Sequence, residues 1–105
     1  MVQHIVLFKL KPETTEEKVE KMMRDTRIQL LKIPEVLSVK CGKRIDPASE
    51  WPFFIAVEFE SMDKLAVYID DPIHLKYVQD VIKPSITERL ALDYEMEPGK
   101  DVRYS

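Results

Sequence analysis

The chain has 105 residues, 45% of them hydrophobic and 33% charged, enough for one folded core and too few for two. A formal net charge of −3 gives no general attraction to nucleic acid or to an anionic membrane surface. The single cysteine, Cys41, excludes an internal disulfide and a thiolate metal cluster, and no apolar run approaches the ~20 residues of a bilayer span.

Met1-Val2-Gln3-His4 enters a strand pattern directly, without the features of a signal peptide, so a reduced, cytoplasmic protein is expected. From Val2 to Lys11 the pattern alternates: Val2, His4, Val6, Phe8 and Leu10 share one face, and Gln3, Ile5, Leu7 and Lys9 share the other. The middle of both faces is apolar, which calls for cover on two sides. Lys11-Pro12-Glu13 breaks the strand. Thr14 with Glu17 reads as a capping box that opens a helix, with Val19, Met22, Met23, Thr26 and Leu30 on its buried face. Ile33-Pro34 ends it, because the residue before proline is pushed out of the α region. Val36 to Ile45 alternates again, with Leu37, Val39 and Cys41 opposite Ser38, Lys40 and Gly42. A loop over 46–50 leads to a strongly apolar strand from Phe53 to Phe59. Ser61 caps a short helix, Met62 to Ile69, which Asp70-Asp71-Pro72 interrupts. A further helix is expected from Pro72 to Lys83, ended or kinked by Pro84. Arg89 to Glu95 forms a last strand, with Leu90, Leu92 and Tyr94 on one face. Pro98-Gly99 and the polar tail read as a loop or an exchanged arm. A single domain over 1–105 is expected, with its core at 2–96 and a tail at 97–105.

The order β-α-β-β-α-β is the ferredoxin-like arrangement of the α+β class: a four-stranded antiparallel sheet with helices on one face. Several strands make the other face apolar as well. A two-fold homodimer that packs sheet on sheet, a dimeric α/β barrel, would cover it.

Both histidines fall on informative positions. His4 points with Val6 and Phe8; a core or pocket imidazole held by one hydrogen bond is at least as expected there as a catalytic one. His74 lies in the first turn of a helix, either stitching that helix to the strand below or acting as a general base near neutrality. On one continuous helix Tyr68 and His74 would lie on different faces, but the Asp70-Asp71-Pro72 kink lets both point inward. A phenol and an imidazole in an apolar pocket could polarise a carbonyl and remove an α-proton without metal or redox cofactor. Paired groups of this kind also occur for structural reasons. Tyr77, one turn beyond His74, borders the same space. Met22, Met23 and Thr26 face the sheet as core or as adaptable pocket lining, with Ile55, Val57 and Leu92 as a floor and Val6, Phe8 and Phe53 completing the expected lining. Such a cavity suits a small hydrophobic or aromatic ligand. Asp70, Asp71 and Asp80 read as turn and cap residues rather than a metal set, and Gly42 and Gly99 are too far apart for a phosphate loop.

The segments His4-Ile5-Val6-Leu7-Phe8-Lys9, Ile33-Pro34-Glu35-Val36, Val57-Glu58-Phe59-Glu60-Ser61, Tyr68-Ile69-Asp70-Asp71-Pro72-Ile73-His74 and Asp93-Tyr94 resemble, in order and spacing, the stress-responsive A/B barrel (Dabb) family over residues 2 to about 96. The resemblance implies a homodimeric barrel with stress-related biology in plants. It also points to polyketide cyclase-like activity as an alternative, since one relative performs an intramolecular aldol condensation with residues matching Tyr68 and His74. The wider fold includes cofactor-free monooxygenases with a pocket between sheet and helices. Family structures carry Mg2+ at the end of the first helix on main-chain oxygens, which match Leu30, Ile33 and Val36. The chain departs from the pattern at Asp71, where a histidine often precedes the proline, and at Phe53, where the cyclase has a pocket histidine.

Overall fold

The structure, a computed structural model, describes residues 1–97, so the tail expected to be a loop or an exchanged arm lies outside the described residues. The elements are β1 (Val2–Leu10), α1 (Glu16–Leu30), β2 (Ser38–Lys43), β3 (Phe53–Phe59), α2 (Met62–Asp70), α3 (Pro72–Tyr77), a π-helical turn (Val78–Ile82) and β4 (Ile86–Glu95). The four strands form one sheet in the order β2-β3-β1-β4, antiparallel throughout.

Local chemistry sets the boundaries. The expected Thr14 cap falls one residue later. Thr14 is taken up by a turn, its N–H bonded to the Lys11 carbonyl, and Thr15 caps α1 by accepting from the Lys18 N–H at 3.1 Å. Three residues beyond Thr15 stands Lys18 rather than an acidic residue, so the cap is one-sided. The helix stops at Leu30, before Ile33-Pro34, and tight turns to Ile33 and Val36 follow. Ser61 caps α2 as expected. The helix expected over 72–83 changes character partway: after Tyr77 the ladder widens, and the Lys83 N–H reaches the Val78 carbonyl five residues back at 2.9 Å.

The register divides the sheet into two faces. Val6, Phe8, Phe53, Ile55, Val57 and Phe59 point toward the helices and are buried against Val19, Met22, Leu30, Leu65, Tyr68, Tyr77 and Ile82. Phe53 and Phe59 are fully sealed, each worth roughly 1.5–3 kcal/mol of burial. On the other face Ile5 sits between Ala56 and Leu92, and Leu7 sits between Phe54 and Leu90. With Tyr94 they make a continuous apolar surface that the helices do not cover. Leu90 and Tyr94 remain 40% and 51% exposed.

The helical layer is not centred on the sheet. α1 packs over β2, while α2 lies against β3. β4, an edge strand, lies beyond both, and most of its residues stay exposed. That offset opens a cleft between the inward row of β4 and the segment from α3 through the π-helical turn.

Candidate functional site

The cleft has a volume of about 650 Å3. Val6, Phe8, Ile55 and Val57 form its floor, Tyr68, Tyr77, Val78 and Ile82 its roof, and His4, His74 and Asp93 bring polar groups to it.

Each polar group is held by a specific local device. Asp71 caps α3: its Oδ1 accepts the Ile73 N–H at 2.8 Å, and Pro72 occupies the first turn, where no N–H is needed. Aspartate at this position is therefore a competent helix start in its own right. The new helix direction turns His74 back toward the end of α2. There its Nδ1 lies 3.0 Å from the Ile69 carbonyl oxygen, one of the acceptors left open at a helix C-terminus. A carbonyl can only accept, so Nδ1 carries the proton and Nε2 is the unprotonated nitrogen of the neutral ring. Burial pushes the His74 pKa below the usual histidine value, opposed by the Ile69 hydrogen bond. The charges of His4 and Arg89 lower it further, and Asp71 works against them. His74 is therefore neutral, and a proton acceptor, at neutral pH.

The Tyr68 ring packs on His74 with centroids 4.3 Å apart and planes at 44°, and on Phe59 at 4.8 Å. Burial raises the Tyr68 phenol well above the usual tyrosine range, so it stays protonated and serves as a donor. His4 meets the other side of Tyr68 edge-on, with centroids 6.3 Å apart. Directly across the β1–β4 ladder, Asp93 accepts from His4 Nδ1 at 2.5 Å. The four residues form a row: Asp93, His4, Tyr68, His74.

Of the residues expected to line a pocket, Val6, Phe8, Ile55, Val57, Tyr77, Tyr68, His4 and His74 do so. The other five do not. Leu92 pairs with Ile5 and lies on the uncovered face, while its neighbours Ala91 and Asp93 line the cleft. Met22 and Phe53 are sealed in the core, Phe53 against Phe8 at 5.8 Å. Met23 packs at the margin of that core, its carbonyl accepting from the Cys41 thiol at 3.5 Å. Thr26 is buried as a hydrogen-bonding clamp on Tyr77. The pocket thus sits under α3 rather than under the middle of α1, and Leu30 is the one residue of α1 that reaches it. Asp93 escaped the site reading, although strand alternation places it beside Ala91 once the inward face is fixed.

At the end of α1 the Leu30 carbonyl accepts the Ile33 N–H at 3.2 Å, and the Ile33 carbonyl accepts the Val36 N–H at 3.1 Å. The Leu30 and Ile33 oxygens each keep one lone pair and bring no negative charge. With the Val36 carbonyl they would offer the expected Mg2+ only neutral main-chain oxygens, two of them already engaged, and no step in the cleft runs through it. Among the described residues no three His, Cys, Asp or Glu side chains cluster as a metal site.

Comparison with known proteins fits this geometry. Residues 2–96 match the family model of the stress responsive A/B barrel domain. A stress-response A/B barrel domain-containing protein of Arabidopsis thaliana is 27% identical over 96 residues, which is 90% of this chain but 36% of that longer protein. Among solved structures, a dimeric protein of ferredoxin-like fold from Bacteroides fragilis superposes with a TM-score of 0.75 at 25% identity, covering 90% of this chain and 95% of that one. A hydroxynitrile lyase from Passiflora edulis shares the fold, with a TM-score of 0.79 at 18% identity, covering 95% and 96%. The chain belongs to the stress responsive A/B barrel domain family.

Proposed function

We propose that this protein is a homodimer that binds a small hydrophobic or aromatic molecule in the cleft beneath α3, in the reducing setting of the cytoplasm. The dimer reading rests on the apolar sheet face formed by Ile5, Leu7, Phe54, Leu90 and Leu92, and on the dimeric relative from Bacteroides fragilis. The cytoplasmic reading rests on the single thiol, Cys41, which has no second cysteine to pair with and whose pKa is raised by burial, against the charge of Arg27. No helix among the described residues is long and apolar enough to cross a membrane.

The observation that carries the ligand reading is an apolar floor facing His74, whose Nδ1 is tied to the Ile69 carbonyl so that Nε2 remains an acceptor. The test uses a neutral probe, 4-phenylbutan-1-ol, titrated into isotope-labelled protein. Amide shifts are expected around Val57, Tyr68, His74 and Tyr77, and Ala91→Trp, which fills the cleft from β4, should abolish them. Shifts elsewhere, or shifts that survive Ala91→Trp, would remove the ligand reading.

The contact between Tyr68 and His74 favours a second reading, acid–base chemistry of the lyase or cyclase kind. His74 Nε2 takes a proton from a carbon or hydroxyl next to the reacting centre, and the Tyr68 O–H donates to the oxygen where negative charge develops. The fold shared with the Passiflora edulis hydroxynitrile lyase is compatible with this assignment. His74→Gln should stop deuterium exchange at the α-carbon of a bound aryl ketone while leaving the dimer intact. Undiminished exchange would dismiss His74 as the base. Among the described residues no cleft side chain favours monooxygenase chemistry over proton transfer.

A further inference from the structure

The mouth of the cleft carries two cations, Arg89 and Lys83, that no ion pair among the described residues engages. Arg89 stands directly across the β1–β4 ladder from Phe8, so its side chain leaves the sheet on the helix-covered face, beside the apolar floor. Lys83 follows the π-helical turn on the opposite wall, and both residues line the cleft. The ion pairs of the described residues engage Lys9, Lys21, Lys43 and His4, and none engages Arg89 or Lys83. Asp93, the carboxylate of the cleft lining, is already taken by His4 at 2.5 Å. The cleft therefore presents two uncommitted cations above an apolar floor. An arginine fork of that kind matches a planar carboxylate through two parallel N–H bonds, and a nearby lysine adds a point charge.

We infer that the cleft selects an amphipathic anion, an aromatic or aliphatic carboxylate. Its hydrocarbon lies on Val6, Ile55 and Val57, and its carboxylate is held by Arg89 with help from Lys83. This rests on the proposal that the cleft is a ligand site and specifies the chemical class of ligand. A neutral ligand of the same shape would occupy the floor but leave the two cations hydrated and unused.

The test compares 4-phenylbutyrate with 4-phenylbutan-1-ol, matched in length and apolar area, by calorimetric titration of the intact protein. The carboxylate should bind about tenfold more tightly at low salt, as expected for charge-assisted hydrogen bonds. Salt should shrink that advantage, since the cations sit at an open rim. Arg89→Gln should erase most of the preference and leave binding of the alcohol unchanged, and Lys83→Gln should reduce it by about two- to threefold. Arg89 is exposed, so the variant should fold; if circular dichroism shows otherwise, Lys83→Gln and the salt series decide alone. Equal binding of acid and alcohol, or a proportional loss of both in Arg89→Gln, overturns the anion preference while the cleft remains a ligand site. Failure of both compounds to bind removes the ligand site itself, and this inference with it.

Discussion

Deleting one hydroxyl, in Tyr77→Phe, tests how α3 and its histidine are pinned to α1. Thr26 Oγ1 lies 2.6 Å from the Met22 carbonyl oxygen and 2.6 Å from the Tyr77 hydroxyl. The carbonyl can only accept, so the single threonine proton goes to Met22 and the Tyr77 O–H must donate to Thr26. Both residues are buried, Thr26 at 0% and Tyr77 at 4% exposure. Tyr77→Phe removes the donor and leaves Thr26 with its own proton satisfied, a loss of about 1 kcal/mol. Thr26→Val keeps the shape but strands the tyrosine proton, which costs about 1–3 kcal/mol. In a domain near this size 1 kcal/mol moves Tm by about 4–8 °C. Thermal and urea unfolding should therefore rank wild type above Tyr77→Phe, and Tyr77→Phe above Thr26→Val, at one fixed protein concentration because the proposed subunit association would add stability. The double variant should lose less than the sum of the two single losses. A Tyr77→Phe penalty equal to or larger than that of Thr26→Val, or strictly additive losses, would refute the assigned proton directions.

Leu90→Glu places a charge on the uncovered apolar face, 40% exposed in the single subunit. Light scattering should show the proposed dimer replaced by a folded monomer, and an unchanged dimer would move the interface elsewhere. His74 gives a pH signature with a definite sign. Burial depresses its folded-state pKa, so the unfolded chain accepts a proton that the folded one resists. Stability is complete above the ordinary histidine value of about 6.5 and is lost as pH falls through the depressed folded value. Denaturation at stepped pH should show that loss reduced in His74→Gln, and superimposable curves would contradict the burial argument.

The order of elements was legible because alternation and helical periodicity are local, and proline marks most of the breaks. The cap at Thr15 instead of Thr14 slipped because adjacent threonines are equivalent until the Lys11 turn claims one of them. Leu92 was misplaced for a non-local reason. Alternation puts Leu90, Leu92 and Tyr94 on one face, but only the β1–β4 register says which face the helices cover. The same register brings Asp93 to His4 and Arg89 to the cleft mouth, contacts that span most of the chain. Thr26 was recognisable as a buried helix residue, yet its partner, Tyr77, is set by how α3 crosses α1. Tyr68 and His74 were readable as a pair because the kink that joins them is written in a short stretch of sequence, and Asp71 supplies its cap.

The claim on which the cleft depends most is that His74 presents an unprotonated Nε2 at neutral pH. Nitrogen-15 spectroscopy of the two histidine side chains over a pH titration reads this directly. The expected result is a His74 ring protonated at Nδ1 alone, with a titration midpoint below the ordinary histidine value. A ring protonated at Nε2, or a midpoint above that value, would contradict both the Ile69 anchor and the base it creates.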